Sequence, residues 1–232
     1  MPTQDLFYPS SKVIFGWSAK AGCTVVLKMF LDHCGLIERA LRYSGWVHDY
    51  RTHHLQKISY QVPFSTRRRI RIKFVRNPYA RAVSSYFQIC RNAHLYQRSF
   101  TFPLTFESFL QQLSLDSFLQ EIHVARQYQL FESYHEVVKI ENLVQEITRI
   151  NTQYHLQLNP HFSSGHHIVR NTNMSMHYVG NQPFSPGEMS QVPPYAYFYL
   201  DHLENRSLVE KIYKEDLDHY GYSYDEFLSQ NS

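Results

Sequence analysis

No stretch of this 232-residue chain comes near the ~18 uninterrupted apolar residues that a membrane-crossing helix needs. The N-terminus lacks the basic-then-apolar layout of a secretory signal. Cysteine is scarce: Cys23, Cys34 and Cys90 are odd in number and follow no framework or metal spacing. That excludes a disulfide scaffold and reads as reduced thiols in a cytoplasmic protein. Neither sign of charge is in large excess, with 23 Lys and Arg against 20 Asp and Glu. A formal net charge of +3 suits an anionic ligand without demanding nucleic acid. There is no internal repeat and no low-complexity tract. What is present is the composition of a soluble globular protein rich in Tyr and Phe, long enough to bury a full core. The expectation is a single domain over residues 1–232.

The periodicity alternates between strand and helix. "KVIFGW" (Lys12 to Trp17) is short, apolar and β-rich, and reads as a buried strand. Leu27, Phe30, Leu31 and Cys34 then recur at helical spacing, with Gly35 closing the helix. "GWVHDY" is a weaker strand candidate. "IRIKFV" (Ile70 to Val75) is a strand broken by Asn77-Pro78, and a helix carrying Val83, Phe87 and Cys90 on one face follows. "TFESFLQQL" and "SFLQEIHVARQYQLF" read as helices, "EVVKI" as a strand and "ENLVQEITRINTQY" as a helix. Asn159 to Pro194 reads as long loops. "SLVEKIYKEDLDHY" is a terminal amphipathic helix. The alternation predicts an α/β fold with a central parallel sheet and ligands at the carboxyl ends of its strands.

The stretch "WSAKAGCTVV" (Trp17 to Val26) joins the first strand to the first helix. Backbone N–H groups at a helix N-terminus have no intrahelical partner, and the helix dipole adds positive potential there. Such a turn holds a phosphate. Ala21, Gly22, Cys23 and Thr24 supply the amides, Gly22 allows close approach, and Thr24 adds a hydroxyl. In a nucleoside triphosphatase loop the lysine directly follows the second glycine. Here that position is Cys23, and Lys20 lies two residues before Gly22. A triphosphate with magnesium fits poorly. A 5′-phosphate whose substituent is touched by Lys20 fits better, although a plain turn bearing a surface lysine fits the same letters.

Further on, "VRNPYARAVSSY" places Arg76 at the end of a strand and Ser84 in the following helix. A guanidinium fork plus a hydroxyl suits a second phosphate. With both elements in view the chain resembles the sulfotransferases that use 3′-phosphoadenosine 5′-phosphosulfate (PAPS), in particular the carbohydrate sulfotransferases of family 2. "AKAGCT" is similar to their 5′-phosphosulfate loop, and "VRNPYARAVSSY" to their 3′-phosphate motif. "FESFL", "IHVARQ" with His123 and Gln127, "VVKIENL" with Glu141, and "IYKEDLDHYGY" resemble later family motifs, in order, from about Lys12 to Tyr222. The usual Pro before the lysine is Ala19, and the usual acid after Arg76 is Asn77.

The resemblance implies a P-loop-like three-layer α/β/α fold, with a PAPS-binding core over 12–100 and acceptor and cofactor-closing segments over 101–232. It implies sulfuryl transfer from PAPS to a hydroxyl of a glycan, glycolipid or small-molecule alcohol, without a metal ion. Lys20 is expected to neutralise the bridging oxygen. Ala21 to Thr24 would hold the 5′-phosphate, and Arg76 and Ser84 the 3′-phosphate. "PHFSSGHH" matches the loop that closes over the nucleotide, with Ser163 and Ser164 as its contacts. The general base is expected within "VHDYRTHH", which offers His48, Asp49, His53 and His54; His48 and His53 are favoured. Animal members of the family are Golgi enzymes with an N-terminal anchor, whereas only a dozen residues precede the first expected strand here. A compact, cytoplasmic, bacterial-type protein is the expectation. The rivals are a nucleotide kinase, a non-catalytic adenosine bisphosphate binder and a basic RNA-binding domain.

Other features read as structural. "RRRIRIK" (Arg67 to Lys73) runs into a strand and is expected to be a solvated strand edge or a steering patch for an acidic substrate. His161, His166 and His167 lack metal-ligand spacing. "PPYAYFYL" is expected to pack as strand or loop rather than to form a sugar platform.

Overall fold

A computed structural model describes residues 3–55, 69–115, 121–163, 169–170, 176–184 and 191–231. In chain order come β1 (Thr3–Leu6), β2 (Val13–Ser18), α1 (Cys23–His33), α2 (Ile37–Ser44), α3 (Val47–Tyr50), a π-helical turn (Arg51–Leu55) and β3 (Ile70–Val75). Then follow α4 (Pro78–Arg91), α5 (Ala93–Tyr96), α6 (Phe106–Leu113), β4 (Glu136–Lys139), a 3₁₀ turn (Ile140–Asn142) and α7 (Leu143–Tyr154). The chain closes with β5 (Val169–Arg170), β6 (Gln191–Val192), a 3₁₀ turn (Tyr195–Phe198), α8 (Leu203–Ile212), α9 (Lys214–Tyr220) and α10 (Tyr224–Asn231). These form two compact units. A sheet unit comprises Thr3–Arg76 and Gln129–Gly165. A helical unit comprises Met1–Pro2, Asn77–Tyr128 and His166–Ser232.

The sheet unit is built on one four-stranded sheet in the order β1-β2-β3-β4. β2, β3 and β4 are parallel, and β1 pairs antiparallel with β2. Phe15 lies opposite Ile72, and Phe74 opposite Val138. Their core neighbours are Val26, Leu27, Phe30 and Leu31 of α1 and Ile147 and Ile150 of α7. The Phe15 ring packs 4.9 Å from Phe74 and 5.4 Å from Phe30. Fully burying side chains of this size contributes about 1.5–3 kcal/mol each. Gly35, at φ 68, ends α1, and the Leu36 and Gly35 amides close back on Leu31 and Asp32. Gly16 belongs to packing: a Cβ there would come within 2.3 Å of the Tyr134 hydroxyl.

Two expectations in this unit are corrected. "GWVHDY" forms helix α3 rather than a strand. Val47 and Tyr50 are both buried; a helix puts i and i+3 on one face, whereas a strand would place them on opposite faces. The basic run is no solvated edge either. β3 lies between β2 and β4. Lys73 is fully buried and paired with Glu132, Arg71 pairs with Asp5, and Arg69 donates to the carbonyls of Tyr8 and Pro9. Arg67 and Arg68 lie outside the described residues.

The helical unit packs Val83, Tyr86, Phe87 and Cys90 of α4 against Phe106, Phe109, Phe198, Val209, Ile212 and Phe227. Asn77 caps α4 by accepting from the Tyr79 amide, with Pro78 in the first turn, where its missing N–H costs nothing. Thr105 and Ser108 form a capping box on α6. The expected helix over Ser117 to Phe131 is not there: Glu121 to Phe131 is turn and irregular chain, and residues 116–120 lie outside the described ones. The cause is capture of its amides by carboxylates. Glu121 accepts from His123 N–H at 2.6 Å, and Asp216 accepts from Gln127 and Tyr128 N–H at 2.9 and 2.7 Å. Asp216 is fully buried. Burial pushes its pKa up, while the Arg81 charge and those amides pull it back. Three motifs from the sequence thus meet at one carboxylate. The terminal helix is broken at Tyr213 into α8 and α9, and "PPYAYFYL" packs as a 3₁₀ turn. No described helix is long and apolar enough to cross a membrane.

Candidate active site

Every contact in this subsection lies within the sheet unit. Strand β2 ends at Ser18 and α1 starts at Cys23, leaving Ala19 to Gly22 to turn the chain. Gly22 is the N-cap residue, at φ 68, and no side chain caps the helix. The first-turn amides are therefore left for water or a ligand. The turn is held from two sides. Ala21 N–H donates to Ser18 O at 3.1 Å, and Arg76 Nη1 donates to the Lys20 carbonyl at 3.2 Å. Lys20 itself has φ 67, a left-handed conformation that costs a non-glycine residue roughly 1–2 kcal/mol. The ends of β2 and β3 thus meet through Lys20 and Arg76.

A Cβ on Gly22 would sit 2.5 Å from Ile140 Cδ1, which follows β4 directly. Glycine is required there both for backbone angle and for space. Gly22→Ala should cost roughly 1–2 kcal/mol from the backbone and about 1–3 kcal/mol from overpacking. Adding Ile140→Ala should return only the second part. Urea unfolding of the two variants reads the split; full recovery in the double variant would refute the backbone requirement.

Of the proposed bases, His48 reaches this turn. Its Nε2 lies 3.1 Å from Thr24 Oγ1 in the first turn of α1. Its ring is tilted against Trp46 at 4.9 Å and Trp17 at 6.1 Å. His53 instead bonds the Tyr43 hydroxyl through Nδ1 at 3.3 Å and is exposed. The late loop is represented by Ser163, whose carbonyl accepts from Lys28 Nζ at 2.7 Å. That segment is positioned by Asn151, which bonds both the N–H and the carbonyl of Leu158. Ser164, His166 and His167 lie outside the described residues. Ser84 is in the second turn of α4, in the helical unit, and nearly buried. Among the described residues no group of three or more His, Cys, Asp or Glu is placed to hold a metal ion.

Cys34, just past the end of α1, is not part of this chemistry. Burial raises its thiol pKa to about 12, against a hydrogen bond from Ser11. Sequence reading missed Ile140, Lys28 and Arg51, the last because it directly follows Gly45 to Tyr50, read there as a strand.

A turn of this kind has unpartnered amides that suit an oxyanion, and here an imidazole lies within a hydrogen bond of its hydroxyl residue. A family model described as "Sulfotransferase family" matches residues 6–223. No curated protein and no solved structure matches the chain.

Proposed function

The chain belongs to the sulfotransferase family, and from that premise we propose that it transfers the sulfuryl group of PAPS to a hydroxyl of a glycan, glycolipid or small-molecule alcohol. The observation that carries this reading is the uncapped turn before α1, with Gly22 at its apex, Lys20 two residues ahead and His48 at Thr24. The residues fit a phosphosulfate: the first turn of α1 has no side-chain cap, and Lys20, two residues ahead of Gly22, can bring an amine to a bridging oxygen. The turn between β2 and α1 also supports reading the fold as P-loop-like.

PAPS supplies a sulfuryl group joined to a bisphosphate that departs as a stable anion. Positioning and charge stabilisation account for most of the catalysis in such in-line displacements. Lys20 faces the bridging oxygen, where negative charge develops. Amides of Gly22, Cys23 and Thr24 hold the 5′-phosphate, that of Ala21 being taken up by the Ser18 carbonyl, and the Thr24 hydroxyl adds a donor. By the sequence motif, Arg76 and Ser84 take the 3′-phosphate, and Ser163 with Ser164 close over the nucleotide. His48 removes the acceptor hydroxyl's proton, a task suited to imidazole near neutral pH. His53 is the alternative base. No metal ion is part of this reading.

Adenosine 3′,5′-bisphosphate should bind much more tightly than AMP. Charge-assisted contacts to the second phosphate contribute about 1.5–3 kcal/mol each, or roughly ten- to a hundredfold apiece. Arg76→Ala should largely erase the preference, as read by calorimetric titration. A two-phosphate site keeps its affinity in salt, whereas a general basic patch loses it steeply. Equal affinity for the two nucleotides would sink the assignment. Transfer of labelled sulfate from PAPS to a panel of neutral and acidic sugars then reads the activity itself.

A further inference from the structure

One helical turn past His48 stands a cation that this mechanism does not use. Arg51 follows α3, its amide closing onto the carbonyls of His48 and Val47, and spacing of i to i+3 puts the two side chains on neighbouring positions of one face. The guanidinium carbon lies 4.8 Å from the centroid of the Trp17 ring, just before the phosphate turn. Its Nη1 donates to Gln4 Oε1 at 2.6 Å, and Gln4 is the β1 partner of Trp17. Burial draws the guanidinium pKa down, and the group that opposes this is the Cys23 thiol, at the first residue of α1.

What Arg51 lacks is an anion. Its one hydrogen-bond acceptor is a neutral amide, and no carboxylate pairs with it among the described residues. Its Nε is sealed from solvent with no partner, and so is the indole N–H of Trp17 beside it. Arg51 is half-buried, and a charge drawn even partly out of water gains from an anionic partner. A guanidinium offers five donors in a rigid fork that matches a carboxylate, sulfate or phosphate edge. Trp46, more than a third exposed, tilts against His48 and offers a flat apolar surface on the same segment.

Resting on the sulfuryl-transfer reading, we propose that Arg51 binds an oxyanion next to the reacting hydroxyl: either the sulfuryl end of the donor or an acidic group on the acceptor. The residue has a separate job from the phosphate contacts. Adenosine 3′,5′-bisphosphate carries neither group, so its affinity does not depend on Arg51.

The test compares the wild-type chain with Arg51→Ala and Arg51→Gln by titration calorimetry, with melting temperature as the control for folding. Three probes are used: adenosine 3′,5′-bisphosphate, PAPS, and the pair p-nitrophenyl glucuronide and p-nitrophenyl glucoside added to the bisphosphate complex. Both variants should bind the bisphosphate within about twofold of wild type. If the donor's sulfuryl end is the ligand, PAPS binding falls at least tenfold. If the acceptor's acid is the ligand, the glucuronide loses at least tenfold while the glucoside does not. Either result supports the proposal and names the source. Unchanged affinity for every probe overturns it, as does equal weakening of all of them. A wild-type chain that fails to bind the bisphosphate removes the sulfuryl-transfer reading underneath, and this inference with it.

Discussion

His48→Ala is expected to slow turnover by about 10²–10⁴-fold, the usual contribution of a positioned general base. The expectation follows from placement: Nε2 is 3.1 Å from Thr24 Oγ1, in the helix turn proposed to hold the phosphate. On the proposed reading, an acceptor hydroxyl approaching the sulfuryl group would come close to that nitrogen. A protonated imidazole cannot take the proton, so the wild-type rate should fall as pH falls, and His48→Ala should lose that acid limb. Because the ring also packs on Trp46, melting temperature and bisphosphate affinity must be measured alongside; both should stay close to wild type. His53→Ala should cost only a few-fold, since His53 bonds Tyr43 and is exposed. If His48→Ala costs less than tenfold, the base lies elsewhere, with Asp49 next to examine.

Lys20→Ala should lower turnover on the order of 10²–10³-fold, by comparison with removal of one oxyanion donor. Product affinity should weaken far less, because the loop amides and Arg76 remain. Lys20→Arg keeps the charge but changes its shape and reach, and should retain measurable activity. The left-handed backbone of Lys20 supplies a control. Lys20→Gly accepts that φ without strain, so it should match or exceed the melting temperature of Lys20→Ala while losing as much turnover. Near-normal turnover in Lys20→Ala would mean that the turn only holds phosphate.

Strands β2, β3 and β4 could be read from the sequence because "VIFGW", "IRIKFV" and "EVVK" are β-rich runs bounded by a helix signal or a breaker, and burial agrees with propensity there. Strand β1 could not. Thr3–Leu6 carries no hydrophobic pattern and is a strand only through its pairing with β2. Glu121 to Phe131 failed for the opposite reason. Its local pattern is helical, but Asp216, almost ninety residues away in sequence, takes the amides a helix would use. Local periodicity contains no information about such a partner. The turn between β2 and α1 was legible because the strand, glycine and helix that make it are local in the sequence. Arg51 was not: with Val47 to Tyr50 taken as extended, it pointed away from His48. Only helical geometry sets the two on one face.

The hydrogen bond from Arg76 to the Lys20 carbonyl makes the two motifs one energetic unit. If that guanidinium also holds the far phosphate of the nucleotide, as proposed, it would transmit the grip to the backbone that carries Lys20. Recognition at one end of the cofactor and readiness at the other are then linked quantities. Deleting both side chains should cost less than the product of the single losses, as interacting neighbours do. Selectivity for the 3′-phosphorylated nucleotide would thus be exercised twice, once in affinity and again in the rate of the step that follows. A nucleotide lacking that phosphate would be a poor substrate even when saturating.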